Sequence, residues 1–253
     1  MLSAPDRRLR VCALYPDLMN IYADRGNILL LEQRCRWRGI EFAVSASGLG
    51  DELDPDGADM YYIGGGQDRD QRLCALDLAT VKRDALHAAA ARGAVILAVC
   101  GGYQLLGHSY QLGDESLPGV GLVDLTTVRA DDGAGRLIGN IAIEIEPHPL
   151  DPPDAGTVLA GFENHGGRTR LGAAESPLGR VLSGYGNSGD DGFEGVRKGN
   201  VVGTYMHGPL LPKNAWFADR LIATALALDA PLAPLDDELE RAAHLEARRA
   251  AGV

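Results

Sequence analysis

The chain has 253 residues, 45% hydrophobic and 23% charged, the proportions of a soluble globular protein with enough length to bury a sizeable core. A formal net charge of −11 disfavours the phosphate backbone, so nucleic acid is not the expected partner. No apolar run reaches the ~18 residues that a membrane span needs. The start, MLSAPDRRLRVCALYP, lacks the apolar h-region of a signal peptide, so a cytoplasmic location is expected.

In chain order, VCALYP at 11–16 reads as a first strand and DLMNIYADRGN as a loop or short helical turn. ILLLEQRCRWRG has helical spacing and stops at Gly39, a natural helix end. EFAVSA predicts a second strand, and ADMYYIGGGQD a strand that runs into a loop. Residues 70–92 are rich in Ala and Leu with interspersed charges and predict one or two helices ending at Gly93. AVILAV is a continuous apolar run, the pattern of a central strand buried on both faces. This alternation predicts an α/β sandwich around a mostly parallel sheet.

The second half changes character. GLVDLTTVRA, RLIGNIAIEIEP, TVLAGFENHGG and GNVVGTYMHG read as strands that extend the sheet with antiparallel additions. AWFADRLIATALAL is an amphipathic helix, and 236–250 a charged helical tail. DDGAG at 131–135 and GYGNSGDDG at 184–192 read as flexible loops. No repeat and no strong boundary interrupts the chain, so one domain over 1–253 with a core of about 11–228 is expected.

The chemistry centres on AVCGG at 98–102. A nucleophilic side chain between small residues, directly after a buried strand, is the pattern of a nucleophile elbow. It places Cys100 at the carboxyl edge of the sheet, where ligands bind in open α/β folds. The helix that follows is expected to lower the thiol pKa, and the Gly101 N–H to serve an oxyanion hole. The other cysteines, Cys12, Cys35 and Cys74, read as buried thiols; none forms a C-x-x-C pair or zinc spacing.

A cysteine nucleophile wants a base. His87, His108, His148 and His244 sit in helical or loop contexts with bland readings. His165 in FENHGGRT and His207 in GTYMHGP each end a strand-like run before glycine. His207 is the candidate base, because its strand reads as core; His165 is the competitor and otherwise lines the pocket. The GGG at 64–66 follows another strand, but no P-loop spacing accompanies it. It reads better as a loop whose backbone N–H groups face Cys100.

Together, CGGYQLLG and MHG resemble the class I glutamine amidotransferases, and within them the cobyric-acid-synthase-like branch. LYPDLMNIYADRGNILLLEQRCRWRGI, YYIGGGQDRDQ, GFENHGGRT and GTYMHGPLLPKN are similar to the GatD family, the glutaminase subunits of lipid II isoglutaminyl synthase. The resemblance spans about residues 11–225. It implies a flavodoxin-like three-layer α/β/α fold, with Cys100 as nucleophile and His207 as catalytic histidine. It also implies Gly65 at the oxyanion position and Arg136 handling glutamine. Gln104, Glu163 and His165 are expected around the pocket. The implied partner is a MurT-like ligase in a heterodimer, which takes ammonia from L-glutamine and uses ATP to amidate D-glutamate of lipid II. No cofactor or metal is expected on this chain, ATP and any metal belonging to the ligase.

One position departs from the wider class. Most class I enzymes carry a glutamate two residues after the histidine, where this chain has Pro209. The pattern fits a Cys–His dyad, with a backbone carbonyl, a partner residue or an acid such as Glu163 left to orient the imidazole. Two other readings compete: the same glutaminase serving another synthetase such as a corrinoid amidase, and a cysteine hydrolase or peptidase on the same scaffold. A non-catalytic module is disfavoured by the intact Cys100 and His207.

Overall fold

The computed structural model describes residues 7–20, 24–130 and 135–253. The first half alternates strands and helices: β1 (Arg8–Leu14), α1 (Arg25–Trp37), β2 (Glu41–Ser47), β3 (Met60–Ile63), α2 (Asp68–Thr80), α3 (Arg83–Ala91), β4 (Val95–Val99) and α4 (Gly101–Leu105). The second half is mostly strands: β5 (Ser109–Leu112), β6 (Glu115–Pro118), β7 (Leu125–Arg129), β8 (Leu137–Ile145), β9 (Val158–His165), β10 (Gly167–Leu171), β11 (Gly179–Ser183), β12 (Phe193–Glu194), β13 (Val196–Lys198) and β14 (Val201–Thr204). Three helices close the chain: α5 (Leu210–Lys213), α6 (Ala215–Ala225) and α7 (Glu238–Ala251).

The main sheet has six strands in the order β13-β14-β4-β3-β1-β2. All neighbours are parallel except β13, which joins β14 as an antiparallel edge. The period of two along a strand divides its side chains between two cores. In β4, Ile96 and Ala98 pack with Leu78, Leu86 and Tyr103 from α2, α3 and α4. Val95, Leu97 and Val99 pack with Leu31, Phe217 and Ile222 from α1 and α6. Every residue of β4 is fully buried, and each larger aliphatic side chain so placed contributes roughly 1.5–3 kcal/mol. This is the expected three-layer arrangement, and it explains why AVILAV shows no alternation.

The strands expected to extend the sheet divide. β13 and β14 join it, whereas the others form separate four-stranded sheets, β10-β7-β5-β6 and β12-β11-β8-β9. The expected loop at 184–192 is an ordered turn. Buried Asn187 accepts from the Gly195 N–H at 2.8 Å and the Tyr103 hydroxyl at 3.0 Å, and donates to the Gly195 carbonyl at 3.0 Å. Of the loop expected at 131–135, only Gly135 lies within the described residues. α7 follows the expected tail; His244 on it bonds the Lys213 carbonyl at 2.8 Å, tying the helix to α5. Among the described residues, no helix is long and apolar enough to cross a membrane.

Candidate active site

Cys100 stands immediately after β4 with φ 52° and ψ −107°, a conformation that costs a non-glycine residue strain. Surrounding hydrogen bonds hold it there. The Cys100 N–H donates to the Thr204 carbonyl at 2.8 Å, Gly102 N–H to Gly64 at 3.1 Å and Gln104 N–H to Cys100 at 3.2 Å. The strain therefore belongs to the cysteine; Gly101 and Gly102 are not among the positive-φ glycines. Their role is close approach. A Cβ on Gly102 would lie 2.7 Å from the Ile63 carbonyl oxygen, and one on Gly101 2.8 Å from the Gly66 nitrogen. A Cβ on Gly64 or Gly66 would strike Met19. The elbow and the IGGG loop are thus pressed backbone to backbone.

One expectation about this corner is corrected. The helix after Cys100 has five residues, and its effect loses to desolvation. Burial pushes the Cys100 thiol up to about 12, helped by the charge of Asp24 and opposed by the Gly101 N–H and Arg136. The thiol is therefore neutral at rest. Gly65, expected as an oxyanion donor, already gives its N–H to Asp24 Oδ2 at 2.8 Å. Asp24 is fully buried, and its Oδ1 has no hydrogen bond among the described residues. Burial raises its carboxyl to about 6 against the pull of the Gly65 and Gly208 N–H groups. The loop reading of IYADRGN gave no hint of this role, because the contact joins residues 41 apart.

His207 reaches the same edge through β14. That strand runs parallel to β4 with Thr204 opposite Val99, so both chains leave the sheet side by side. Reciprocal backbone hydrogen bonds with Phe162, at 2.9 and 3.2 Å, fix the segment. The Phe162 ring meets the imidazole edge to face at 5.8 Å. His207 is fully buried. Burial lowers its pKa to about 4, and the charges of His165, Lys213 and Arg136 push the same way.

The remaining candidates separate. The Glu163 carboxylate accepts the Tyr185 and Gly186 N–H groups at 2.7 and 3.0 Å and lies 3.6 Å from His165 Nε2. It is thereby committed to that turn and to His165. The His165 ring stacks on Tyr205 at 3.5 Å, and its Nδ1 bonds the Gly167 carbonyl at 2.9 Å, so a neutral ring carries its proton on Nδ1. Gln104, expected at the pocket, lies in a buried network. It accepts from Gln71 at 2.7 Å and donates to the Tyr205 hydroxyl at 3.2 Å, which bonds Thr169 at 2.7 Å. Gln71 also donates to the Gly101 carbonyl at 3.2 Å and so braces the elbow from beneath.

Arg136 lies on the exposed side, where its Nε and one Nη bond the side chain and carbonyl of Asn164 at 2.8 and 2.7 Å. Its charge reaches both Cys100 and His207. Sequence reading also passed over Glu194. That buried carboxyl takes the Tyr205 N–H at 2.6 Å and the Thr204 hydroxyl at 3.0 Å, and burial raises it to about 8. It braces the strand end that delivers His207.

The arrangement, an elbow thiol and a buried imidazole at one sheet edge, has relatives of known chemistry. The CobB/CobQ-like glutamine amidotransferase domain matches residues 10–215. Subunit GatD of the glutamine-hydrolysing lipid II isoglutaminyl synthase of Streptococcus pneumoniae is 39% identical over 220 residues, covering 87% of this chain and 81% of that one. The Staphylococcus aureus GatD is 40% identical over 210 residues, covering 83% and 81%. In fold, the chain resembles the structure of PurLQS from Thermotoga maritima, with a TM-score of 0.59 and 20% identity over 87% of this chain and 95% of that one. The chain belongs to the CobB/CobQ-like glutamine amidotransferase family and, within it, to the glutamine-hydrolysing GatD subunits of lipid II isoglutaminyl synthase.

Proposed function

We propose that this chain releases ammonia from L-glutamine at Cys100 and passes it to a MurT-like ligase subunit, which uses ATP to amidate D-glutamate of lipid II in the cytoplasm. The observation that carries the reading is the strained elbow of Cys100 beside the buried His207 at the carboxyl edge of the main sheet. The Cys100 sulfur attacks the amide carbon of glutamine while its proton moves to His207. The tetrahedral oxyanion takes the Gly101 N–H, and the Gly65 N–H once Asp24 leaves it. His207 returns the proton to the departing nitrogen, so ammonia leaves and a γ-glutamyl thioester remains. His207 then takes a proton from water; the hydroxide cleaves the thioester, yielding glutamate, and the proton returns to sulfur. Arg136 receives the α-carboxylate of the substrate.

The relatives matched over most of both lengths are GatD subunits, which disfavours a corrinoid-amidating role. The test is co-purification with a MurT-like ligase and amidation of lipid II with glutamine or ammonium as nitrogen source. Cys100→Ala is expected to lose the glutamine-dependent reaction alone. Retention of glutamine-dependent ammonia release by that variant would overturn the assignment.

A further inference from the structure

Near the elbow lies an ion pair, Asp68 with Arg129, that the proposed reaction does not use. Asp68 opens α2, three residues after Gly65, and Arg129 ends β7 on the far side. The Arg129 guanidinium reaches Asp68 Oδ2 at 2.5 Å, with the two side chains 41% and 36% exposed. Two features place this pair beside the elbow and Arg136. Asp68 and Gln71 are three apart on one helical face, and Gln71 touches Gly101. On the other side, Arg129 and Arg136 flank Gly166: a Cβ there would lie 3.6 Å from an Arg136 Nη and 3.9 Å from the Arg129 Cγ and Nε. Tyr110, buried between these elements, feels the charges of Asp68, Arg129 and Arg136 together.

Glutamine carries an ammonium and a carboxylate on its α-carbon, three bonds from the amide carbon that Cys100 attacks. Among the described residues, Asp68, Arg129 and Arg136 offer one anion and two cations beside the elbow. We propose that Asp68 determines specificity by binding the α-ammonium of glutamine, and that substrate splits the Asp68–Arg129 pair so that Arg129 joins Arg136 on the α-carboxylate. An exposed ion pair is weak and opens readily, whereas the substrate pairs both ends at once and adds a bidentate carboxylate contact. The exchange leaves the net charge unchanged, because the substrate brings one charge of each sign. It also discriminates: an amide lacking the ammonium would leave Asp68 holding Arg129 and withhold one of the two carboxylate ligands.

This inference rests on the glutaminase reading. The test compares L-glutamine with glutaramate, the same molecule without the α-ammonium, on the full chain alone and with its ligase subunit. Asp68→Asn is expected to lower kcat/KM for L-glutamine roughly 10–100-fold, through KM, with kcat held within about threefold. Its kcat/KM for glutaramate should hold or rise, because Arg129 is released to that carboxylate, so the preference between the two substrates collapses. Arg129→Gln should weaken L-glutamine and leave glutaramate nearly unchanged, since Asp68 keeps Arg129 from the glutaramate carboxylate. Equal losses on both substrates in Asp68→Asn would mark a structural role and overturn the proposal, as would an unchanged preference. A wild-type chain that hydrolyses neither would instead refute the glutaminase reading beneath it.

Discussion

Replacing Asp24 by Asn tests the unusual carboxylate beside the elbow. In the folded chain burial raises this group from an ordinary 3.8 to about 6. Between those values the folded state holds a proton that the unfolded state has lost, so stability falls as pH rises through the window. The rise corresponds to about 3 kcal/mol present below pH 4 and lost above pH 6. Asn keeps an acceptor for the Gly65 N–H, now at 2.8 Å from Oδ2, and removes the titration. Its amide nitrogen falls where Oδ1 has no hydrogen bond among the described residues, a pH-independent cost of about 1–3 kcal/mol. The absolute stability of the variant is therefore less diagnostic than its pH dependence. The difference between variant and wild type should move by about 3 kcal/mol in the variant's favour from pH 4 to pH 7, or about 6–10 °C in Tm for a chain of this size. Calorimetry or thermal-shift scans at half-unit pH steps read this directly. A difference that stays flat across pH 4–7 would refute the buried, ionised Asp24.

Three further outcomes follow from the same corner. Cys100→Gly should be more stable than Cys100→Ala by about 1–2 kcal/mol, because only glycine relieves φ 52°; equal denaturant midpoints would contradict the strain. Because burial pushes the thiol up to about 12, Cys100 in the isolated chain should react with iodoacetamide at pH 7 more slowly than a free thiol, with a rate still climbing at pH 9; a fast, pH-independent reaction would show a thiolate instead. His207, lowered to about 4, should keep neutral imidazole NMR shifts from pH 8 down to pH 5, and a midpoint near 6.5 would contradict its burial.

The legible parts of this chain are those set by local pattern. The unbroken apolar run of β4, the glycine after α1 and the small-x-Cys-x-small elbow each encode their geometry within a few residues. The missing parts depend on contacts between distant segments. Nothing near Asp24 signals that it bonds Gly65. Nothing near Gln104 separates a pocket residue from one pairing with Gln71. The strands of the second half were visible, but their partners were not, because pairing is chosen by nonlocal packing and hairpin order. The expected lowering of the thiol pKa failed for a related reason: a helix start is local, whereas the desolvation that outweighs it comes from the whole fold.

At rest the Cys100 thiol and the His207 imidazole are both held neutral, and the groups around them indicate how they can be switched to chemistry. Burial alone disfavours both the thiolate and the imidazolium. It penalises an adjacent pair of opposite charges far less than either charge apart, so under the proposed mechanism sulfur and His207 would take up charge together, as one pair. Asp24 opposes that step, since its charge raises the thiol. It also occupies the Gly65 N–H. For a substrate carbonyl to use that donor, Asp24 must withdraw, and withdrawal removes the charge that resists the thiolate. A single displacement would then open the oxyanion position and ease ionisation of the nucleophile together. On this logic Asp24→Asn should also speed labelling of Cys100 by an electrophilic glutamine analogue at neutral pH. Unchanged labelling in a folded variant would separate the two effects and leave Asp24 a purely structural brace of the IGGG loop.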